Sequence, residues 1–116
     1  MRYDGIFESL LALRDEKRAP QMSAYMRNQF PFLGIPTGPR KAAYKKIFAT
    51  AKKEKIVDFD FVDQCFKREE REFQYAGVDY LLAIQDCLVP ENLPKLKQYI
   101  QTKSWWDTVD GLDGVV

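Results

Sequence analysis

The stretch PFLGIPTGPRKAAYKKIFATA, residues 31–51, decides the fold that we predict for this chain. Two prolines and a glycine fall within residues 31–36, so this segment predicts an apolar linker held against the core instead of a helix. Thr37 is then expected to cap a third helix, whose first turn contains Gly38 and Pro39. Its inner face would use the apolar or aromatic residues Ala43, Tyr44, Ile47 and Ala51, with lysines over much of the remaining surface.

Further helices are predicted on both sides of this segment. Before it, Asp4 is expected to cap a first helix, and a second helix is expected from about Pro20 through Phe30. After it, a short fourth helix is expected to start at Asp58 or Asp60. The charged residues 69–72 open a fifth helix, whose inward stripe is formed by Phe73, Ala76, Tyr80 and Ala83.

The remaining predictions concern the charged start of the fifth helix and two helices that follow it. Arg71 and Glu72 are expected to serve helix capping and ion pairing at the start of the fifth helix. Pro94 would lie in the first turn of a sixth helix, and Ser104 would cap a seventh. No segment alternates apolar and polar residues as a strand would. The pattern predicts an all-α chain of helical pairs, stacked side by side as an α-solenoid.

Residues 1–116 are expected to form one helical domain, in which the last helix begins close to the end of the sequence without a visible capping unit. We therefore expect this domain to be the N-terminal part of a longer one. A truncated solenoid of this kind would expose its open end, and a second copy of the chain would be able to cover it.

Composition excludes several classes of chemistry. The sequence contains no histidine, which rules out imidazole-based catalytic triads and histidine-containing zinc motifs. Cys65 and Cys87 are far apart within apolar segments, so they are expected to be reduced core residues, and no metal site is expected. No apolar run is long enough for a membrane helix, and no secretory signal is visible at the N-terminus. The expected location is the cytoplasm.

Charge is concentrated in residues 37–55 although the formal net charge of the chain is only +1. This segment has a single acid, Glu54, and its basic side chains are Arg40, Lys41, Lys45, Lys46, Lys52, Lys53 and Lys55. Such a cluster is typical of a surface that binds a polyanion. An ordinary solvated helix face would give the same pattern.

Trp106 and Asp110 are four residues apart on the seventh predicted helix, so both would project from one face. An aromatic plane beside a carboxylate is suited to a cation. Lys103 lies just before the start of that helix, where a phosphate would also meet free backbone N–H groups. The alternative is that the tryptophan is a core residue and that the aspartate is solvated.

Three segments of the chain closely resemble the AlkD-type alkylpurine DNA glycosylases: MSAYMRNQFPFLGIPT at residues 22–37, REFQYAGVD at 71–79 and TKSWWDTVD at 102–110. Their order and separation also fit that family. The resemblance implies a right-handed α-solenoid of HEAT-like helical pairs that holds double-stranded DNA containing alkylated bases in a basic concave groove. It also implies hydrolysis of the N-glycosidic bond of a cationic alkylpurine, with no metal or organic cofactor.

The resemblance assigns roles to particular residues. Asp110 would be the catalytic carboxylate, and Trp106 and Tyr25 would contact the lesion. Tyr25 has an alternative interpretation as a core aromatic residue. Charge and position, and not the resemblance, give the candidate phosphate contacts Lys103, Arg40, Lys41 and Lys45, of which the last three could instead be simply exposed. The rival to an enzyme is a non-catalytic helical-repeat module that binds DNA or a protein partner.

Overall fold

The fold is built from helices. A computed structural model describes residues 3–25, 30–55 and 57–101, and every regular element in these ranges is helical. The α-helices in this part of the chain are α1 (Asp4–Ala12), α2 (Ala19–Tyr25), α3 (Thr37–Glu54), α4 (Phe59–Lys67), α5 (Arg71–Ala83) and α6 (Leu93–Gln101). Two short 3-10 helices, Gln85–Cys87 and Pro90–Asn92, connect α5 to α6. The predicted all-α class is confirmed, and the arrangement is compatible with a helical-repeat solenoid.

The predicted helix caps are confirmed in one case. Asp58 caps α4, and its carboxylate accepts the backbone N–H of Phe61 at 3.1 Å. Thr37 and Asp4 were expected to be caps, but each is instead the first residue of its helix. For α3 the physical reason is Pro36, which precedes the helix with φ −62° and ψ 157° and so directs the chain into its first turn.

The second helix is described over Ala19–Tyr25, and Phe30, at which it was predicted to end, lies outside any helix. Residues 26–29 lie outside the described residues. Phe30 precedes Pro31, and a residue before proline disfavours the α conformation. The Ser23 hydroxyl donates to the Phe30 carbonyl oxygen at 2.9 Å, which ties α2 to this extended segment. The predicted seventh helix from Ser104 lies outside the described residues.

Aromatic rings from three helices and from Tyr3, the residue before α1, form the centre of the core. Phe61 of α4 and Tyr80 of α5 are fully buried, and their ring centroids lie 5.2 Å apart. Tyr3, just before α1, lies 4.9 Å from Phe61, and Phe48 of α3 lies 5.2 Å from Tyr80. Edge-to-face pairs of this kind add about 0.5–1.5 kcal/mol each beyond the burial of their area. The cluster therefore fixes α1, α3, α4 and α5 against one another.

The predicted inner faces are largely correct. Phe73, Ala76 and Tyr80 of α5 are fully buried, as expected. In α3, Tyr44 and Ala51 are buried but Ile47 is 39% exposed, so its assignment to the core was wrong. Phe48 is buried in its place, because at about 100° per residue Phe48 lies about 40° from Tyr44 around the helix, whereas Ile47 lies about 60° away on the other side.

The linker before α3 is pinned to the core, as predicted, by an interaction that the sequence pattern did not reveal. The Glu72 carboxylate of α5 accepts the backbone N–H groups of Leu33 at 2.8 Å, Gly34 at 2.9 Å and Ile35 at 3.1 Å. Glu72 is fully buried. Glu72 was expected to serve helix capping and ion pairing, and the structure shows instead that its buried carboxylate binds the backbone of the linker.

Arg71 holds the beginning of the same linker. Its backbone N–H donates to the Pro31 carbonyl oxygen at 2.8 Å, and its guanidinium carbon lies 3.7 Å from the centre of the Phe30 ring. Arg71 is fully buried, and these contacts with the linker were not part of its expected role in helix capping and ion pairing. The first two residues of α5 thus hold the whole segment from Phe30 to Ile35.

Gly34 allows the linker to pass close to the loop between α1 and α2. It has φ +94°, a left-handed conformation that glycine adopts readily. A Cβ atom at this position would lie 2.1 Å from the Asp15 carbonyl oxygen and 2.8 Å from the Ala19 nitrogen. The Asp15 N–H donates to the Leu33 carbonyl oxygen at 2.8 Å, so the two segments are also hydrogen-bonded.

Two further expectations concern the cysteines and the membrane. Cys65 is fully buried, Cys87 is partly buried, and both are free thiols, as expected. Among the helices in the described ranges, none has both the length and the apolar character needed to cross a membrane.

The substitution Glu72→Gln should lower the free energy of unfolding by about 2–4 kcal/mol, because an amide loses the negative charge and turns an NH₂ group toward backbone donors. Urea denaturation measures this loss. Glu69→Gln is the matched control: it removes the same charge from an exposed position three residues earlier and should change stability by less than about 0.5 kcal/mol. Equal effects of the two substitutions would contradict the linker role.

The substitution Gly34→Ala should destabilise the protein by about 3 kcal/mol or more, because the added methyl group meets backbone atoms that have no room to move aside. Thermal unfolding with circular dichroism measures it. Gly5→Ala, in α1, adds a methyl group with no neighbour within 4 Å and should be neutral or slightly stabilising. A Gly34→Ala protein as stable as the Gly5→Ala protein would show that the close approach is absent.

Candidate nucleic-acid interface

An open groove lies between α3 and α5 and has a volume of about 710 Å³. Its walls combine apolar side chains with lysines and one carboxylate. The lining residues are Gly38, Lys41, Ala42, Tyr44, Lys45, Phe48, Ala49 and Lys52 from α3, and Asp79, Leu82 and Ala83 from α5. The groove therefore offers an apolar floor with a basic rim.

Three lysines form the basic rim. Lys41, Lys45 and Lys52 follow one another at spacings of four and seven residues, which places them on one face of α3. All three are exposed. Lys52 lies 3.9 Å from the Asp86 carboxylate, and both of these side chains are largely in solvent, so this pair contributes little to stability. We call these three residues the lysine row.

A polar cluster centred on the buried Arg40 lies beside the groove and shares Tyr44 and Asp79 with its lining. The Nε–H of Arg40 donates to the Tyr44 hydroxyl oxygen at 3.1 Å, and its terminal nitrogen lies 3.5 Å from the Asp79 carboxylate. Its guanidinium carbon lies 4.7 Å from the centre of the Tyr75 ring. Only 7% of Arg40 is exposed. The interpretation of Arg40 as a simply exposed residue is therefore wrong, whereas Lys41 and Lys45 are exposed.

Tyr44 completes the cluster by donating its hydroxyl proton to Asp79. Burial raises the pKa of the Tyr44 hydroxyl above its ordinary value, the charge of Arg40 opposes that rise, and Asp79 reinforces it. The hydroxyl thus remains protonated at neutral pH and keeps its role as a donor. Arg40, Tyr44 and Asp79 together join α3 to α5 beneath the lysine row.

Tyr25 of α2 is 76% exposed. The alternative interpretation of Tyr25 as a core aromatic residue is wrong. Its role as a lesion contact requires exposure but is not tested by exposure alone, so it stays a prediction.

The other predicted site residues, Lys103, Trp106 and Asp110, lie outside the described residues. Their proximity to one another therefore rests on their sequence spacing. In the described ranges no three His, Cys, Asp or Glu side chains are grouped so that they could hold a metal ion.

Sequence reasoning missed Asp79, which lines the groove, and Tyr75, whose ring lies against Arg40. Together with Glu72 they recur at spacings of three and four residues, so they form a polar stripe along α5. The prediction rested only on the apolar stripe of the same helix, which faces the core. A second helical period of polar residues within a mostly buried helix was the signal that could have identified them.

Comparison with known proteins gives consistent findings. The model of the family described as DNA alkylation repair enzyme matches residues 6–116. A solved structure described as a "Predicted DNA alkylation repair enzyme from Enterococcus faecalis" is similar to this chain with a TM-score of 0.77 and 30% sequence identity. The similarity covers 88% of this chain and 48% of that one, so this chain spans about half the length of that structure. No curated protein sequence matches.

The resemblance found in three sequence segments is thus matched by a family model over nearly the whole chain and by a similar helical fold. The chain belongs to the DNA alkylation repair enzyme family.

Proposed function

We propose that this chain forms part of a monofunctional DNA glycosylase that acts in the cytoplasm on duplex DNA. Its substrates would be cationic alkylated purines such as 3-methyladenine and 7-methylguanine, and the reaction would be hydrolysis of the N-glycosidic bond. Residues 1–116 would form a single HEAT-like helical domain within this enzyme. Family membership supports a role in DNA repair, and the observation that carries the DNA-binding part is the lysine row above the groove between α3 and α5.

The groove is suited to a DNA backbone. Phosphates carry the charge of the duplex, and exposed lysines bind them without reading the base sequence. Lys41 and Lys45 are about 6 Å apart along the axis of α3, because each residue rises about 1.5 Å. They would therefore be able to contact phosphates along the same strand. Lys103 is proposed as a further phosphate contact beside the lesion.

The chemistry requires few catalytic groups. Most glycosidases use one carboxyl group to protonate the leaving group and a second to stabilise or attack the sugar. A purine alkylated at N3 or N7 already carries a positive charge, so it departs without a general acid. One carboxylate then suffices, and the absence of histidine from the chain does not hinder the reaction.

Asp110 is proposed to stabilise the oxocarbenium-like deoxyribose and to orient the attacking water. Trp106 and Tyr25 would hold the sugar and the cationic base through aromatic contacts worth about 0.5–2 kcal/mol each. The exposure of Tyr25 is compatible with this role. The rival function, a non-catalytic module that binds DNA, would use the same groove but would not need Asp110.

Replacement of Lys41 or Lys45 by methionine should weaken binding to a DNA duplex and reduce the slope of log affinity against log salt by about 0.9 for each lost phosphate contact. Fluorescence anisotropy between low and moderate salt measures both quantities. Lys53→Met is the matched control, since Lys53 is an exposed residue of α3 that does not line the groove. If the slope of log affinity against log salt falls equally in all three variants, the groove is not the DNA-binding site.

Asp110→Asn should lower excision of 7-methylguanine by about a hundredfold or more, because the variant keeps the shape of the side chain and loses the charge that stabilises the transition state. Affinity for the duplex should change little. Single-turnover release of the base by the full-length gene product measures this effect, with Asp113→Asn as the control for loss of a nearby charge. An unchanged rate in Asp110→Asn would contradict the proposal and favour the non-catalytic module.

A further inference from the structure

Arg40, in the first turn of α3, contacts α5 and is held on three sides. The Tyr44 hydroxyl oxygen accepts from its Nε–H, the Asp79 carboxylate lies opposite its terminal nitrogen, and the Tyr75 ring lies against its guanidinium. Tyr44 in turn donates to Asp79 and stacks on Phe48, whose ring centroid is 4.6 Å away. We call Arg40, Tyr44, Tyr75 and Asp79 the clamp.

Two residues of the clamp are direct sequence neighbours of the lysine row. Arg40 precedes Lys41, and Tyr44 precedes Lys45, so each clamp residue of α3 is followed by a lysine of the row. Successive residues project about 100° apart around a helix, so fixing one position fixes the direction of the next. A side-chain atom about 6 Å from the helix axis moves by about 1 Å when the helix rotates by about 10°. Small rotations of α3 would therefore displace both lysines together.

We propose that Arg40 is a positioning residue for DNA binding, which acts by fixing the rotation of α3 and with it the lysine row. This inference rests on the proposed binding of DNA in the groove. Its charge is compensated within the protein by Asp79, and its side chain is 9% exposed. Direct contact with a phosphate would require Arg40 to move away from the Asp79 carboxylate and the Tyr44 hydroxyl.

Two other roles for Arg40 make different predictions. If Arg40 bound a phosphate directly, a lysine at this position would retain the needed charge, and loss of Asp79 would release Arg40 and tighten binding. If Arg40 were only structural, its replacement would lower the melting temperature but leave the DNA affinity of the folded protein unchanged. The positioning role predicts weaker binding in both substitutions.

The test measures the binding of a fluorescent DNA duplex by the full chain and its Arg40→Lys, Asp79→Asn and Asp86→Asn variants over a range of salt concentrations. Circular dichroism identifies a temperature at which all of them are folded. Arg40→Lys keeps the charge but loses the planar fork that contacts Tyr44 and Asp79 together. Asp86→Asn is the matched control for Asp79→Asn: it removes one negative charge near the groove, next to Lys52, without touching the clamp.

Arg40→Lys should bind about fivefold or more weakly, with a salt slope reduced by about 0.9 or more, because Lys41 and Lys45 no longer meet the phosphates together. Asp79→Asn should also bind more weakly, although it makes the protein more positive. Asp86→Asn should bind as well as the unaltered chain or more tightly, because it removes only a repulsive charge.

Unchanged affinity in Arg40→Lys, or tighter binding in Asp79→Asn, would overturn the positioning role while leaving the groove as a DNA site. Failure of the unaltered chain to show salt-dependent DNA binding would instead overturn the proposed function, and the role of Arg40 with it. The two failures are therefore distinguishable in the same set of measurements.

Discussion

The buried carboxylate of Glu72 is the interaction on which the rest of the structure depends. It accepts three consecutive backbone N–H groups from residues 33–35, and these are groups that a linker cannot pair within itself. Buried polar groups are tolerated when they are hydrogen-bonded, and an orphaned one is costly. The linker can therefore cross the core between α2 and α3. The left-handed conformation of Gly34 lets it pass against the preceding loop at the same point.

The same helix, α5, holds α3 at two levels. Glu72 fixes the linker that enters α3, and Asp79, seven residues later and so on nearly the same side of α5, holds Arg40 and Tyr44 within α3. Because both the start and the middle of α3 are attached to α5, the orientation of the exposed face of α3 relative to the groove is fixed. The position of the basic rim thus follows from polar contacts inside the fold, whereas the rim itself consists of solvated lysines that contribute little to stability.

The sequence was sufficient to predict the helical class, the linker and most inner faces, because proline, glycine and the 3.6-residue apolar period act locally. Polar residues inside the protein were harder to predict. Charged residues such as Glu72 and Arg40 are usually found at the surface, so nothing in the sequence indicates that these two lie inside. Their partners, the linker backbone for Glu72 and Tyr44 and Asp79 for Arg40, are known only from the tertiary structure. Tyr25 could be assigned to the surface only from the structure, because the sequence around an aromatic residue in a helix does not show whether that residue is exposed. The family resemblance, carried by motifs with specific spacing, was correct.

Release of free 7-methylguanine and 3-methyladenine from methylated duplex DNA by the full-length gene product tests the central claim most directly. A glycosylase that relies on the charge of the leaving base should release both bases and leave abasic sites, without any added metal or cofactor. It should leave unmodified guanine and adenine in place, since these neutral bases lack that charge. Tight binding to the methylated duplex with no release of either base would contradict the account and identify the protein as a binding module.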